Sequence, residues 1–186
     1  MTKSILQIAK KVINTEIEGL KILSKKINEN FLKTIKIIGK TRGKIVVTGI
    51  GKSGIIAKKI AATLASTGSP SQFIHSTEAS HGDLGMIDKK DVVIAFTFSG
   101  KTIELNDIFV YSKENKIPLI IITGKMNSNL KKVASAYIEI SNLKEACPLN
   151  LAPTTSTTTM LALGDAIAIS LTNIKKFSKK NFYSYH

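Results

Sequence analysis

Val92-Val-Ile-Ala-Phe96 and Leu119-Ile-Ile-Ile122 are unbroken apolar runs of strand length. A strand with one wet face alternates apolar and polar residues. A strand that is apolar throughout must be covered on both faces, which is the mark of a parallel sheet. Three more runs read as strands: Lys44–Thr48, Ser71–His75 and Ala136–Ile140. Segments of helical periodicity lie between or after them, at Ser53–Ser66, Ile103–Asn115, Asn127–Val133 and Ser156–Ile174. This alternation predicts an α/β fold, a doubly wound parallel five-stranded sheet flanked by helices. Ahead of it, Ser4 to Ile38 reads as one long helix, with Ile5, Ile8, Val12, Ile17, Leu20, Phe31 and Ile35 at helical spacing. Gly39 and Gly43 end that pattern. The expected division is a helical segment, residues 1–40, packing on the domain or on a partner subunit, and an α/β domain, residues 41–186.

Ligands on such sheets bind beyond the carboxyl ends of the strands, so the turns there carry the functional reading. The first is Val47-Thr-Gly-Ile-Gly-Lys-Ser-Gly54, between a β-branched run and an apolar helix. Gly49, Gly51 and Gly54 allow positive φ and close approach to a ligand. Backbone N–H groups at a helix start attract anions, and Lys52 and Ser53 add a cation and a hydroxyl. The turn is not a P-loop, because Val47 stands where that motif needs glycine. Gly49-x-Gly51-x-x-Gly54 does meet the dinucleotide spacing. The acid expected at the end of the second strand is missing, since that strand ends in His75 and Glu78 follows only in the next turn. A nucleotide, a small phosphate such as a sugar phosphate, and a purely structural turn all stay open here.

The second turn is Thr97-Phe-Ser-Gly-Lys-Thr102 with Glu104 close behind. Thr97, Ser99 and Thr102, with Gly100 and a helix start, make a second anion cradle. The plainer reading is an N-cap followed by an acid in the first helical turn. Glu78-Ala-Ser-His81-Gly-Asp-Leu-Gly85 is a polar loop or short helix. There His81 is either an acid–base catalyst near neutral pH or a structural histidine. No metal is expected, because His75 and His81 lack a recognised ligand spacing. A hydroxyl-rich helix start, Ala152-Pro-Thr-Thr-Ser-Thr-Thr-Thr159, offers Thr154 and Ser156 either as caps or to a polyol.

Lys and Arg number 27 against 13 Asp and Glu, a net charge of +14. Such a balance raises nucleic-acid binding, but Arg42 is the only arginine and the lysines are scattered. Nucleic-acid readers lean on arginine's bidentate fork. The lysines read as solvated faces and helix C-termini whose field also attracts an anionic substrate, and no nucleic-acid partner is expected. The single cysteine, Cys147, is expected to be a buried packing thiol in a reducing, cytoplasmic setting. Charges run throughout Met1 to Lys21, so no secretory signal is read, and no apolar run reaches membrane-spanning length.

Together, Gly51-Lys-Ser-Gly54, His81-Gly-Asp-Leu-Gly85, Ser99-Gly-Lys-Thr-Ile-Glu104 and Glu145-Ala-Cys-Pro-Leu with Ala152-Pro-Thr-Thr-Ser-Thr-Thr158 strongly resemble the sugar isomerase (SIS) domain of D-arabinose 5-phosphate isomerases. The resemblance runs from about Lys44 to His186. It implies a flavodoxin-like sandwich that interconverts D-arabinose 5-phosphate and D-ribulose 5-phosphate through an enediol, for 3-deoxy-octulosonate and lipopolysaccharide synthesis. The family's catalytic set falls on Lys52, His81, Glu104 and His186. Phe182-Tyr-Ser-Tyr-His186 resembles the approach to the family's late His-Pro-Gly-Gly motif, whose Pro-Gly-Gly is absent from the sequence. Phosphate would be held by Gly51, Ser53, Thr97, Ser99, Gly100 and Thr102, with Thr154 and Ser156 near the sugar. No cofactor is implied, because carboxylate, imidazole and ammonium supply all the proton transfers. Phe98 and Lys101 depart from the polar and often acidic residues common in the family, and its accompanying CBS modules find no match in these 186 residues. A homo-oligomer, as a tetramer with interface sites, is the implied assembly. The alternatives are another SIS phosphosugar isomerase and a catalytically silent phosphosugar sensor. Such sensors usually carry a helix-turn-helix, and none is read in Met1–Lys40.

Overall fold

Five short runs build one parallel sheet, and they fall where the pattern placed them. The computed structural model describes residues 2–185. The strands are β1 (Ile45–Gly49), β2 (Ser71–His75), β3 (Val92–Thr97), β4 (Leu119–Thr123) and β5 (Ala136–Glu139), in the order β2-β1-β3-β4-β5. Every neighbouring pair is parallel. β1, β3 and β4 are buried at every residue, because helices cover both of their faces. Ile45, Val47, Ile94, Phe96, Ile120 and Ile122 form one face of the core. Val46, Val93, Ala95, Leu119 and Ile121 form the other.

The first face carries α2 (Glu29–Gly39), α3 (Gly51–Ser66) and α7 (Thr155–Ile174). The second carries α4 (Ser76–Ala79), α5 (Asn106–Glu114) and α6 (Ser128–Val133). Chain direction across the sheet reverses between β1 and β3, the switch point where open α/β sheets bind ligands. Register fixes what meets there. Gly49 lies level with His75 and Phe96, and Thr97 with Thr123. The turns after β1, β2, β3 and β4 therefore share one edge.

The expected long N-terminal helix is two helices. α1 (Thr2–Ser24) stops, and α2 begins at Glu29. Asn28 is extended, and its side chain accepts the Asn30 N–H at 3.0 Å. That is an N-cap, and Glu29 adds a negative charge at the helix's positive end. α2 packs on β5 and α7, and α1 on α7. Gly19 lets α1 approach, because a Cβ there would run into the Thr155 methyl group. Ile5, Leu6, Ile8, Ile13 and Ile17 of α1 stay exposed. Three short elements lay outside the periodic pattern: α4, a 3-10 turn at Asp83–Met86 and α8 (Lys179–Tyr183), which a Ser178–Asn181 capping box starts.

Candidate functional site

The turn after β1 is a tight strand-to-helix junction. Ile50 is extended and precedes α3 with no side chain capping the helix. The first N–H groups of a helix have no partner within it, so this N-terminus is open to an anion. Of the three glycines, Gly51 alone takes the left-handed backbone, at φ +57°. Gly54 serves closeness instead: a Cβ on it would lie 2.8 Å from the Gly49 carbonyl oxygen. Lys52 is exposed. Ser53 is half-buried, with its Oγ 3.8 Å from Met160 Sδ on α7.

The turn after β3 is closed by its own hydroxyls. Thr97, buried at the strand end, has its Oγ1 2.7 Å from Thr102 Oγ1. Ser99 Oγ accepts the Lys101 N–H at 3.1 Å. Gly100 has φ +67°, and a Cβ there would strike the Lys125 carbonyl oxygen. Its own carbonyl accepts Asn127 Nδ2 at 2.8 Å, while Asn127 Oδ1 caps α6 at Leu130 N, 2.9 Å away. Beyond Thr102 the chain makes a 3-10 turn, Ile103–Leu105, before α5, where the periodicity had put one continuous helix. Glu104 is exposed on that turn. A cavity of about 320 Å³ opens beside the loop between α5 and α6, lined among others by Thr97, Lys101, Thr102, Asn106 and Asn127.

The turn after β2 runs straight into α4. His75 is structural, since its Nδ1 accepts the Thr77 N–H at 3.3 Å and so caps α4. α4 packs on the 3-10 turn carrying Glu104 and on α5. Ser80 Oγ donates to Asp107 Oδ2 of α5 at 2.6 Å. His81, next in the chain, is exposed, and the Ser80–Asp107 bond ties its loop to the helix that follows Glu104. Lys52 in the first turn of α3, His81 just past α4 and Glu104 on its 3-10 turn thus each follow a strand end on one edge of the sheet. His186 lies outside the described residues.

α7 differs from α3 in that its N-terminus is already filled. Glu145, 8% exposed, places its Oε2 against Thr154 N at 2.8 Å, Thr154 Oγ1 at 3.0 Å and Ser156 N at 3.2 Å. Burial pushes this carboxyl up. The Ser156 hydroxyl, the Thr154 and Ser156 amides and the Thr154 hydroxyl outweigh it, and the net shift is downward. Thr154 and Ser156, read as caps or polyol contacts, both engage Glu145. The sequence had shown Glu145 only as part of a motif. Its signal was an acid ahead of a hydroxyl-rich helix start, separated by a loop stiffened by Pro148 and Pro153. Cys147 is half-exposed, which corrects the expected buried packing thiol. Backbone N–H groups, that of Ala152 foremost and then those of Leu151, Leu149 and Asn150, hold its thiol below the ordinary range. Among the described residues no group of three or more His, Cys, Asp or Glu stands where it could hold a metal ion. No helix among them is long and apolar enough to cross a membrane.

Fold and edge together define a doubly wound α/β domain whose hydroxyl- and glycine-bearing turns cluster at the switch point. The SIS domain model matches residues 37–170, and the chain belongs to that family. The motifs had pointed to the same family. The chain is 47% identical over 178 residues to "Arabinose 5-phosphate isomerase KdsD" of Pseudomonas aeruginosa, covering 96% of this chain and 55% of that protein. It is 40% identical over 186 residues to "Arabinose 5-phosphate isomerase GutQ" of Salmonella typhimurium, covering 100% of this chain and 58% of that one. The chain thus spans a little over half the length of these relatives. Among solved structures, E. coli CFT073 c3406 in complex with arabinose 5-phosphate matches with a TM-score of 0.95 and 40% identity, covering 100% of this chain and 99% of that chain.

Proposed function

We propose that this chain interconverts D-arabinose 5-phosphate and D-ribulose 5-phosphate. The observation that carries the reading is the uncapped N-terminus of α3, level with the Thr97–Thr102 hydroxyl pair on a domain 40% identical to one solved with arabinose 5-phosphate. The phosphate sits on Gly51, Ser53, Thr97, Ser99, Gly100 and Thr102. The open helix end and the hydroxyls suit a dianion. Thr154 and Ser156 act from the α7 side through Glu145, which fixes where that helix begins.

Glu104 takes the proton from C2 of the open aldose, and the electrons move onto O1. Lys52 or His81 donates to the enediolate oxygen as charge develops. The proton then goes to C1 and the O2 proton leaves, giving the ketose. Ring opening needs an acid and a base, which are assigned to His81 and His186. Proton transfer of this kind contributes about 10²–10⁴-fold.

The site belongs to an assembly, read here as a homotetramer. Lys52, His81 and Glu104 are exposed, and close to them in the chain Ile103 is 76% and Ile55 69% exposed. Apolar side chains rimming a polar site mark a contact surface. Residues 1–40 would serve the same contacts through the bare apolar face of α1. Run in the reverse direction, toward the aldose, the reaction would supply D-arabinose 5-phosphate for a 3-deoxy-octulosonate sugar of lipopolysaccharide. A charged phosphosugar does not enter an apolar bilayer, and the chain is assigned with its substrate to the cytoplasm.

The test is incubation with D-arabinose 5-phosphate in D₂O, followed by NMR. Ketose carrying deuterium is expected, and Glu104→Gln should lose exchange while still binding the sugar phosphate. Saturable binding with neither product nor label from the unaltered chain would overturn the isomerase in favour of a sensor. Exchange that survives in Glu104→Gln would remove Glu104 as the base.

A further inference from the structure

At the opposite edge of the sheet lies a second cavity, of about 450 Å³, lined by Ile37, Lys40, Thr41, Arg42, Lys89, Lys90, Asp91 and Pro118. It sits beneath the N-terminal ends of β1, β3 and β4, away from the switch point. At about 3.3 Å per residue, the five to six residues of those strands put it about 17 Å from the turns described above. No part of the proposed isomerase site reaches it.

Its charge is lopsided in a way the scattered lysines elsewhere are not. Lys40, Arg42, Lys89 and Lys90 come from two separate loops and form no ion pair among the described residues. Arg42 is the only arginine in the chain. The two carboxylates nearby are already engaged. Asp91 is buried, accepts Lys44 N at 2.8 Å and Asp88 N at 2.9 Å, and pairs with Lys44 Nζ at 3.1 Å. Asp88 accepts the Lys90 N–H at 2.9 Å. Of the last carbonyls of α2, which would repel an anion, those of Ile37 and Ile38 are taken up by Lys40 N, Thr41 N and Thr41 Oγ1.

The cavity is also built rather than incidental. Asp91 clasps the loop before β1 to the loop before β3. Gly43 is required there, because a Cβ would collide with Asp91 and lie 2.8 Å from the Lys90 carbonyl oxygen. The cations thus project from a fixed frame, while Ile37 and Pro118 supply an apolar wall. A volume in the ligand range, apolar walls and a few convergent charged groups are what small-molecule sites share.

We propose that this cavity is a second anion site, taking a linear polyphosphate, either inorganic or carried by a nucleotide whose base rests on Ile37 and Pro118. A single phosphate would meet only part of the cation set. A chain of phosphates can meet the Arg42 fork and lysines from both loops together.

Calorimetric titration of the full chain with inorganic triphosphate and with ATP, at about 0.15 M salt to screen diffuse attraction, tests this. Saturable 1:1 binding is expected, weakened at least tenfold in Arg42→Ala/Lys89→Ala. Binding should be unchanged in Lys131→Ala/Lys132→Ala, which removes two exposed cations of α6 outside the cavity. Equal affinity for the two probes assigns the site to the phosphate chain alone, and tighter ATP adds the base. Full binding by the cavity variant, equal loss in the α6 variant, or no binding of either probe would each overturn the proposal. Unchanged far-UV circular dichroism and Tm verify that both variants are folded.

Discussion

Replacing Glu145 by Gln tests whether a buried carboxylate holds the start of α7. Three hydrogen bonds, of 2.8, 3.0 and 3.2 Å, end on Oε2. Hydrogen bonds to a charged group contribute about 1.5–3 kcal/mol each, though three on one oxygen do not add. Gln keeps the volume and one acceptor but loses the charge, and with it the attraction of the helix N-terminus, about 0.3–2 kcal/mol. The expected loss at pH 7 is about 2 kcal/mol. With a urea slope of about 2 kcal/mol per M, the unfolding midpoint falls by about 1 M.

The same reasoning fixes a pH dependence. The folded carboxyl titrates below its ordinary value, so its contribution is fully present above the unfolded glutamate pKa of about 4.3. It fades as pH falls through the lower folded value. Urea melts at stepped pH should therefore show wild type and Glu145→Gln far apart at pH 7 and converging in acid. A variant within about 0.5 kcal/mol of wild type at pH 7, or a gap that persists unchanged below about pH 4, would refute the assignment.

Gly100→Ala forces a methyl group against the Lys125 carbonyl at φ +67° and should destabilise by about 1–3 kcal/mol, measured by thermal or urea unfolding. Ser53→Ala removes one hydroxyl from the open end of α3 and should raise KM for the sugar phosphate about tenfold, a loss near 1.4 kcal/mol, with unfolding unchanged. Ser80→Ala frees the His81 loop from Asp107. Steady-state kinetics should show a lower kcat, while this exposed bond contributes only about 1 kcal/mol to stability.

Much of the architecture was legible because the strands are covered on both faces. Val92 to Phe96 and Leu119 to Ile122 are apolar at every step, which leaves few arrangements other than a wound parallel sheet. The break between α1 and α2 was hidden because Ile27, Phe31 and Ile35 keep helical spacing across it. The Asn28–Glu29 cap lies inside an apparently continuous pattern. Ser53, Thr97 and Thr102 could be gathered on paper because each ends a strand or lies within five residues of a strand end, and parallel strands deliver such turns to one edge. Glu145 could not be placed, because its partners lie nine and eleven residues onward and the loop between has no period to read. Cys147 sits in that same loop, where exposure depends on how the backbone curls rather than on the apolar residues beside it.

The clasp between Asp91 and Lys44 joins residues 47 positions apart at the very start of two adjacent strands, and Gly43 leaves no slack beside it. Parallel strands slip in steps of about 3.3 Å, a displacement longer than the tolerance of any hydrogen bond at their far ends. With β1 and β3 pinned at their beginnings, Gly49 must finish level with Phe96. The two turns proposed to hold the phosphate then emerge side by side. The lock at one end of the sheet is thus a ruler for the other, and loosening it would blur the proposed site without touching any residue assigned to it.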